Sequence, residues 1–224
     1  NREVLELAGK YPVMVKCTLG IYPIDALNLP PAQQEPESGL ARGQFFDLDK
    51  ELKFIEHQKN NIVGIGEAGL DYKFIKNEAL IKKQKENFQR VIELCEKLKK
   101  PIVVHSRNAE KDCVEMLISS KIKNIVLHCF EGRKNIIKMA ADFGMNFSIP
   151  AIIGKLQHFQ TLVEMTGINQ LLTETDAPWL SPTAGTANEP ANVLLTIKKI
   201  AELKKMTPEE TANNIYMNYQ RVFE

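Results

Sequence analysis

The chain has 224 residues, of which 44% are hydrophobic and 25% charged, enough to bury a substantial core and ordinary for a globular protein. Its formal net charge of +1 argues against a protein that coats long nucleic acid by counterion release, and leaves room for an enzyme that grips a short stretch or an end. No apolar run approaches the about 20 residues of a membrane span, so no membrane partner is expected; composition leaves the oligomeric state open.

Short β-rich runs alternate with longer amphipathic stretches along the whole chain. Strands are predicted over 13–19, 62–67, 102–105, 125–129, 146–149 and 171–174. Helices are predicted between them, over 48–59, 77–99, 109–121, 133–143 and 154–165. The clearest is 77–99, with Ile81, Phe88, Val91, Ile92, Cys95 and Leu98 on one face. Asn188-Glu189-Pro190 opens another helix, and Thr207-Pro208-Glu209-Glu210 carries the signature of a capping box with proline in the first turn. The Pro-rich segment 29–43 reads as a loop. Strict alternation of this kind implies an α/β fold on a parallel sheet with right-handed crossovers. Six strands fit either an open sheet or an incomplete (β/α)₈ barrel.

The cysteines, Cys17, Cys95, Cys113 and Cys129, are scattered and form no C-x-x-C. They read as reduced, mostly buried thiols of a cytoplasmic protein rather than a structural zinc site. Asn1-Arg2-Glu3 shows no basic-then-apolar leader.

The ionisable residues fall in a pattern. Glu67 closes Ile62-Val-Gly-Ile-Gly-Glu, His105 closes Ile102-Val-Val-His, His128 nearly closes Ile125-Val-Leu-His-Cys, and Asp176 follows Leu171-Leu-Thr-Glu-Thr. Carboxyl ends of strands are where parallel α/β folds place their active sites. By alternation, Glu67 shares a side with Val63 and Ile65, His105 with Val103, and His128 with Val126. Imidazoles and carboxylates together suit zinc, manganese or a similar divalent ion. His57 and His158 sit in helical patterns and read as surface or packing residues.

Five motifs, in order, resemble those of the TatD deoxyribonuclease family. They are Ile65-Gly-Glu-Ala-Gly-Leu-Asp-Tyr72, Lys100-Pro-Ile-Val-Val-His-Ser-Arg-Asn-Ala109, Val126-Leu-His-Cys-Phe-Glu-Gly132, Leu172-Thr-Glu-Thr-Asp-Ala-Pro-Trp-Leu180 and Asn188-Glu-Pro-Ala191. The resemblance implies a TIM barrel over residues 1–224, as a single hydrolase domain. It implies a metal-dependent hydrolase with two divalent ions (Mg, Mn or Zn), acting on DNA ends as a 3′ to 5′ exonuclease or general DNase. Glu67 matches the carboxylate that touches both metals, His105 and His128 match ligands of the second, and Asp176 matches the carboxylate that binds the first and orients the attacking water. Arg107 is placed to meet a phosphate, or else pairs with an acidic neighbour; Glu174 binds substrate or fixes the ligand shell. Hydrolysis of an ester or amide, such as D-aminoacyl-tRNA deacylation, and a non-catalytic interaction protein are the alternatives.

Departures from the family pattern set further expectations. The family's first-strand D-x-H-x-H has no counterpart here, which with the strand count suggests two absent strand–helix units, about 50 to 60 residues at about 30 per unit. The ligands present then hold at most one ion well, through Glu67, His105 and His128. Tyr22 stands where the family often has His, Glu131 where it often has Ser, and Thr186-Ala187 where a basic residue is common.

Overall fold

A computed structural model describes residues 1–29, 45–73 and 75–224; the predicted 29–43 loop lies, but for its first residue, outside them. The chain divides into two compact units, Asn1–Ile125 and Val126–Glu224.

The first unit runs α1 (Arg2–Lys10), β1 (Thr18–Ile21), α2 (Leu48–His57), β2 (Gly64–Asp71), α3 (Glu78–Leu98), β3 (Ile102–Arg107) and α4 (Glu110–Ile118). β1 and β3 both pair with β2 in parallel, so each connection is a crossover through a helix, as the alternation implies. α3 is bounded as its sequence predicts. The Asn77 side chain accepts the amides of Ala79 and Leu80, and Lys99 closes the helix in the left-handed conformation. Its inward face buries Phe88, Val91, Ile92 and Cys95 and packs on β2, whose Ile65 and Leu70 are buried too.

α3 also buries two polar residues that hydrophobic periodicity does not flag. Gln84 accepts the amide of Asp71 (2.7 Å) and donates to its carbonyl (2.8 Å). Asn87 donates to the carbonyl of Ala26. A helix side chain thus completes the backbone hydrogen bonding of the strand end, where buried amides need partners.

β2 departs from expectation. It does not end at Glu67 but continues to Asp71. Between Ile65 and Ala68 it advances three residues while β3 advances two, from Ile102 to Val104, and β1 two, from Leu19 to Ile21. This is a β-bulge with the extra residue at Gly66-Glu67. It breaks the strict alternation assumed for Val63, Ile65 and Glu67 and re-aims the glutamate. Glycine permits the close approach: a Cβ on Gly20 would lie 2.1 Å from the carbonyl oxygen of Glu67.

The second unit contains β4 (Ile125–His128), α5 (Lys134–Asp142), β5 (Asn146–Ile149), α6 (Gln157–Met165), β6 (Leu171–Thr173), α7 (Val193–Lys204) and α8 (Pro208–Phe223). β4, β5 and β6 pair in parallel, with His128 opposite Ser148 and Ile149 opposite Thr173. Phe147, Phe159, Leu162 and Ile200 are fully buried, and Phe130 meets Phe147 edge-on. The α7 helix starts later than its sequence suggests, because 190–192 form a separate 3₁₀ turn. The capping box at Thr207 is present. No helix among the described residues is long and apolar enough to cross a membrane.

Candidate metal centre

In the first unit, the predicted residues Glu67, His105 and Arg107 come together around one that was not singled out, Asp71. Its carboxylate is fully buried at the end of β2. One oxygen, Oδ2, accepts from His105 Nε2 (3.0 Å), Arg107 Nε (2.7 Å) and the Tyr22 hydroxyl (3.2 Å), while Oδ1 accepts the amide of Lys73 (2.9 Å). Burial alone raises the Asp71 pKa, but the hydrogen bond from His105, that from the Lys73 amide and the charges of His105 and Arg107 outweigh it and hold it below the ordinary value. A buried anion with this many donors is satisfied rather than strained.

His105 is held from both sides. Nε2 donates to Asp71, and Nδ1 stands 2.5 Å from Glu67 Oε1. Desolvation by itself depresses the imidazole pKa, yet the hydrogen bonds to Asp71 and Glu67, with their charge, raise it above the usual value. Tyr22 packs edge-on against the ring and accepts from Arg107 Nη2 at 3.1 Å. The tyrosine that departs from the family pattern thereby ties the cluster together. Glu67 is the exposed member, 37% against 13% for His105. It borders a cavity of about 630 Å³ that Tyr22, Asp25, Arg2 and Lys50 also line.

Arg107 meets an acidic neighbour, Asp71, which is one of the two roles expected of it. The interaction uses Nε; it fixes where the guanidinium sits.

In the second unit, His128 and Glu174 come together. His128 Nδ1 is 2.7 Å from Glu174 Oε2, and the Ser148 hydroxyl donates to the same oxygen. The other oxygen, Glu174 Oε1, is buried and without a hydrogen-bond partner. A carboxylate oxygen left in that condition calls for a water or a cation. Asp176 lies two residues further on, in the loop after β6. Its backbone is left-handed, with φ +59°, a conformation that costs a non-glycine residue free energy and marks over-determined sites. Asn108 and Cys129, directly after β3 and β4, share it. The Asp176 carbonyl accepts the amide of Trp179 at 2.7 Å. Buried Asn188 pins the loop from across. Its side chain donates to the carbonyls of Thr175 (2.6 Å) and Leu180 (3.1 Å), and its amide donates to that of Pro178 (2.9 Å).

His57 is exposed on α2 against the Lys53 carbonyl, a surface residue, and His158 bonds the Phe130 carbonyl and packs on Phe159. Among the cysteines, Cys17, Cys95 and Cys113 are buried and none of the four is in a disulfide.

Sequence reasoning therefore missed Asp71, Ser148 and the bracing roles of Gln84 and Asn188. Asp71 carried a signal: a carboxylate ending an otherwise apolar stretch, Ala68-Gly-Leu-Asp71, must be partnered if the strand is buried. Ser148 carried none.

The donor chemistry fits a divalent ion. His128 has one ring nitrogen against a carboxylate, Glu174, and His105 has Nε2 against Asp71 while its other nitrogen faces Glu67; a carboxylate behind the ring fixes the tautomer and orientation of a metal-ligating imidazole. Parallel strands returning through helices, with such pairs at their carboxyl ends, define an α/β enzyme of the metal-dependent kind.

The chain belongs to the family described as TatD related DNase, which matches residues 1–224, and is a metal-dependent hydrolase of the TatD type. It is 38% identical over 176 residues to a metal-dependent hydrolase of Methanocaldococcus jannaschii, covering 79% of this chain and 68% of that protein. It is 30% identical to the human deoxyribonuclease TATDN3, covering 99% and 78%. In fold it is similar to the crystal structure of a TatD homologue from Escherichia coli, with a TM-score of 0.79 and 21% identity over 99% of this chain and 81% of the other. The structural neighbours are TatD hydrolases of the TIM-barrel type, so the barrel reading of the six strands prevails over the open sheet.

Proposed function

We propose that the protein is a deoxyribonuclease that hydrolyses phosphodiesters from a 3′ end of short or end-bound DNA, in the cytoplasm, with divalent ions held by Glu67, His105, His128 and Asp176. The observation that carries this reading is the carboxylate backing of both histidines, Asp71 behind His105 and Glu174 behind His128. The deoxyribonuclease name of the human relative supports the choice of substrate. Bound divalent ions lower the pKa of a nucleophilic water and neutralise charge that builds up on the phosphate. The chain's own groups do the rest. Asp176 would orient the water and take up its proton, and Glu67 would help hold the ions. Arg107, fixed by Asp71, presents its fork to a phosphate oxygen. Glu174 holds the His128 ring and the ligand shell. Of two divalent ions, Mg, Mn or Zn, these residues would hold at most one tightly, because the other would have carboxylates without imidazoles.

The test is hydrolysis of a 5′-labelled single-stranded oligonucleotide after chelation and metal add-back. Activity that disappears with chelation, returns with metal and shortens the strand stepwise from its 3′ end is expected. His128→Ala should lose at least about a hundredfold in rate while keeping its melting temperature, since the ring lies at a strand end rather than in the core. Preferred cleavage of a D-aminoacyl-tRNA ester over DNA would overturn the substrate assignment, and unchanged turnover in His128→Ala the ligand assignment.

A further inference from the structure

The chain's single tryptophan sits three residues beyond Asp176 and is 60% exposed. An indole is the largest apolar surface a residue offers, and one this exposed gives up the burial that normally makes tryptophan worthwhile. Its ring makes no hydrogen bond or aromatic contact among the described residues. Yet the backbone beneath it is fixed. The Trp179 amide donates to the Asp176 carbonyl, and Asn188 grips the loop at Thr175, Pro178 and Leu180. Left-handed residues flank it at Asp176 (φ +59°) and Leu180 (φ +50°). A mobile loop would let the ring fold back onto apolar surface, whereas this one is braced so that it does not.

We propose that Trp179 is a platform on which one unpaired nucleobase of the substrate stacks, beside the carboxylate that handles the attacking water. This rests on the deoxyribonuclease reading and adds to it that the enzyme takes an unpaired end, gripping base as well as phosphate. A flat aromatic face accepts any base, so the contact supplies affinity without sequence preference. The hydrogen bond of the Trp179 amide to the Asp176 carbonyl holds the two residues in one turn, so a base seated on the indole would bring its nucleotide to the loop that carries Asp176.

Because no other tryptophan contributes, indole emission reports on this residue alone. Metal-loaded protein is titrated with a non-hydrolysable phosphorothioate oligothymidylate, and with the same strand carrying an abasic 3′-terminal nucleotide. Saturable quenching by the first and little by the second is expected. Trp179→Ala should weaken binding of the intact strand about tenfold, leave the abasic strand's affinity unchanged, and raise KM for a cleavable oligonucleotide with kcat nearly kept. Trp179→Phe should restore most of the affinity. Circular dichroism of both variants should match the wild type, since the side chain is largely in solvent. Equal quenching by both strands, or tight binding and normal KM in Trp179→Ala, overturns the platform and leaves the nuclease reading standing. Absence of any oligonucleotide binding or cleavage overturns both.

Discussion

His105 and His128 are both imidazoles at strand ends against carboxylates, but their surroundings are built differently. In Asn1–Ile125 the geometry is set by backbone. A bulge turns Glu67, and glycines let neighbouring strands close in. In Val126–Glu224 it is set by side chains. Ser148 and His128 converge on one Glu174 oxygen, Asn188 pins the Asp176 loop, and Asn218 on α8 donates to the carbonyls of Ile168 and Leu171 at the start of β6. Backbone-set geometry tolerates no added atom, whereas side-chain braces are removed one at a time with graded effect. The contrast makes the two units respond differently to mutation.

The largest effect is expected at Gly69. A Cβ there would lie 1.9 Å from the carbonyl oxygen of His105, and φ is +154°. The clash is with backbone, so nothing flexible can move aside. Gly69→Ala should cost about 3 kcal/mol from overpacking and backbone strain together, read as a fall in thermal midpoint and in metal affinity at once. Alanine at Gly185 is the control. It too has positive φ, 78°, but no atom within 4 Å, so it should cost about 1 kcal/mol. Equal losses at the two positions would show that close approach of the strands does not matter.

These differences explain what the sequence could convey. Periodicity located five of the six strands and the amphipathic helices, and the capping box at Thr207 fixed a helix start, because both signals are local; of the strand predicted over 13–19 only 18–19 fall in β1, since Val13 and Met14 are exposed ahead of it. A bulge is a relation between strands, so the run 62–67 seemed to end where β2 in fact bends and continues to Asp71. The ionisable residues at strand ends were legible because buried charge is rare and therefore conspicuous. Asp71 stood in a quoted motif without a role, since its partners His105, Arg107 and Tyr22 lie 34, 36 and 49 residues away. Ser148 and Asn188 are ordinary polar residues until their neighbours are known.

A smaller and graded effect separates the two backing carboxylates. Asp71→Asn removes the anion that accepts from His105, Arg107 and Tyr22, and should lower metal affinity about 10- to 100-fold. Leaving Arg107 beside a neutral amide also destabilises the fold. Glu174→Gln keeps the oxygen that receives Ser148 and His128, and should lower metal affinity nearer to about tenfold with little change in melting. Calorimetric metal titration and thermal melts of both variants decide the matter. A greater loss of affinity in Glu174→Gln would show that the His128 ring depends more on its backing carboxylate than the His105 ring does.

The smallest effect tests how local the side-chain braces are. Thr207 accepts the Glu210 amide at 3.1 Å, while Glu210 Oε2 accepts the Thr207 amide at 2.8 Å, closing the capping box that starts α8. Thr207→Ala should cost about 1 kcal/mol. The Glu210 pKa is lowered first by the Thr207 backbone hydrogen bond and then by its hydroxyl. A carboxylate with a depressed folded pKa contributes stability above its unfolded value and loses it as pH falls through the folded one. The stability gap between wild type and Glu210→Gln should therefore be present at neutral pH and close as pH drops below the ordinary value of 4.5. Metal affinity is the sharper readout. α8 reaches β6 through Asn218, far along the helix from its cap, so fraying of the first turn should leave Leu171 and the Glu174 that follows in place. If Thr207→Ala instead weakens metal binding, the register of α8 is itself one of the braces. The second unit's geometry would then be set as globally as that of the first.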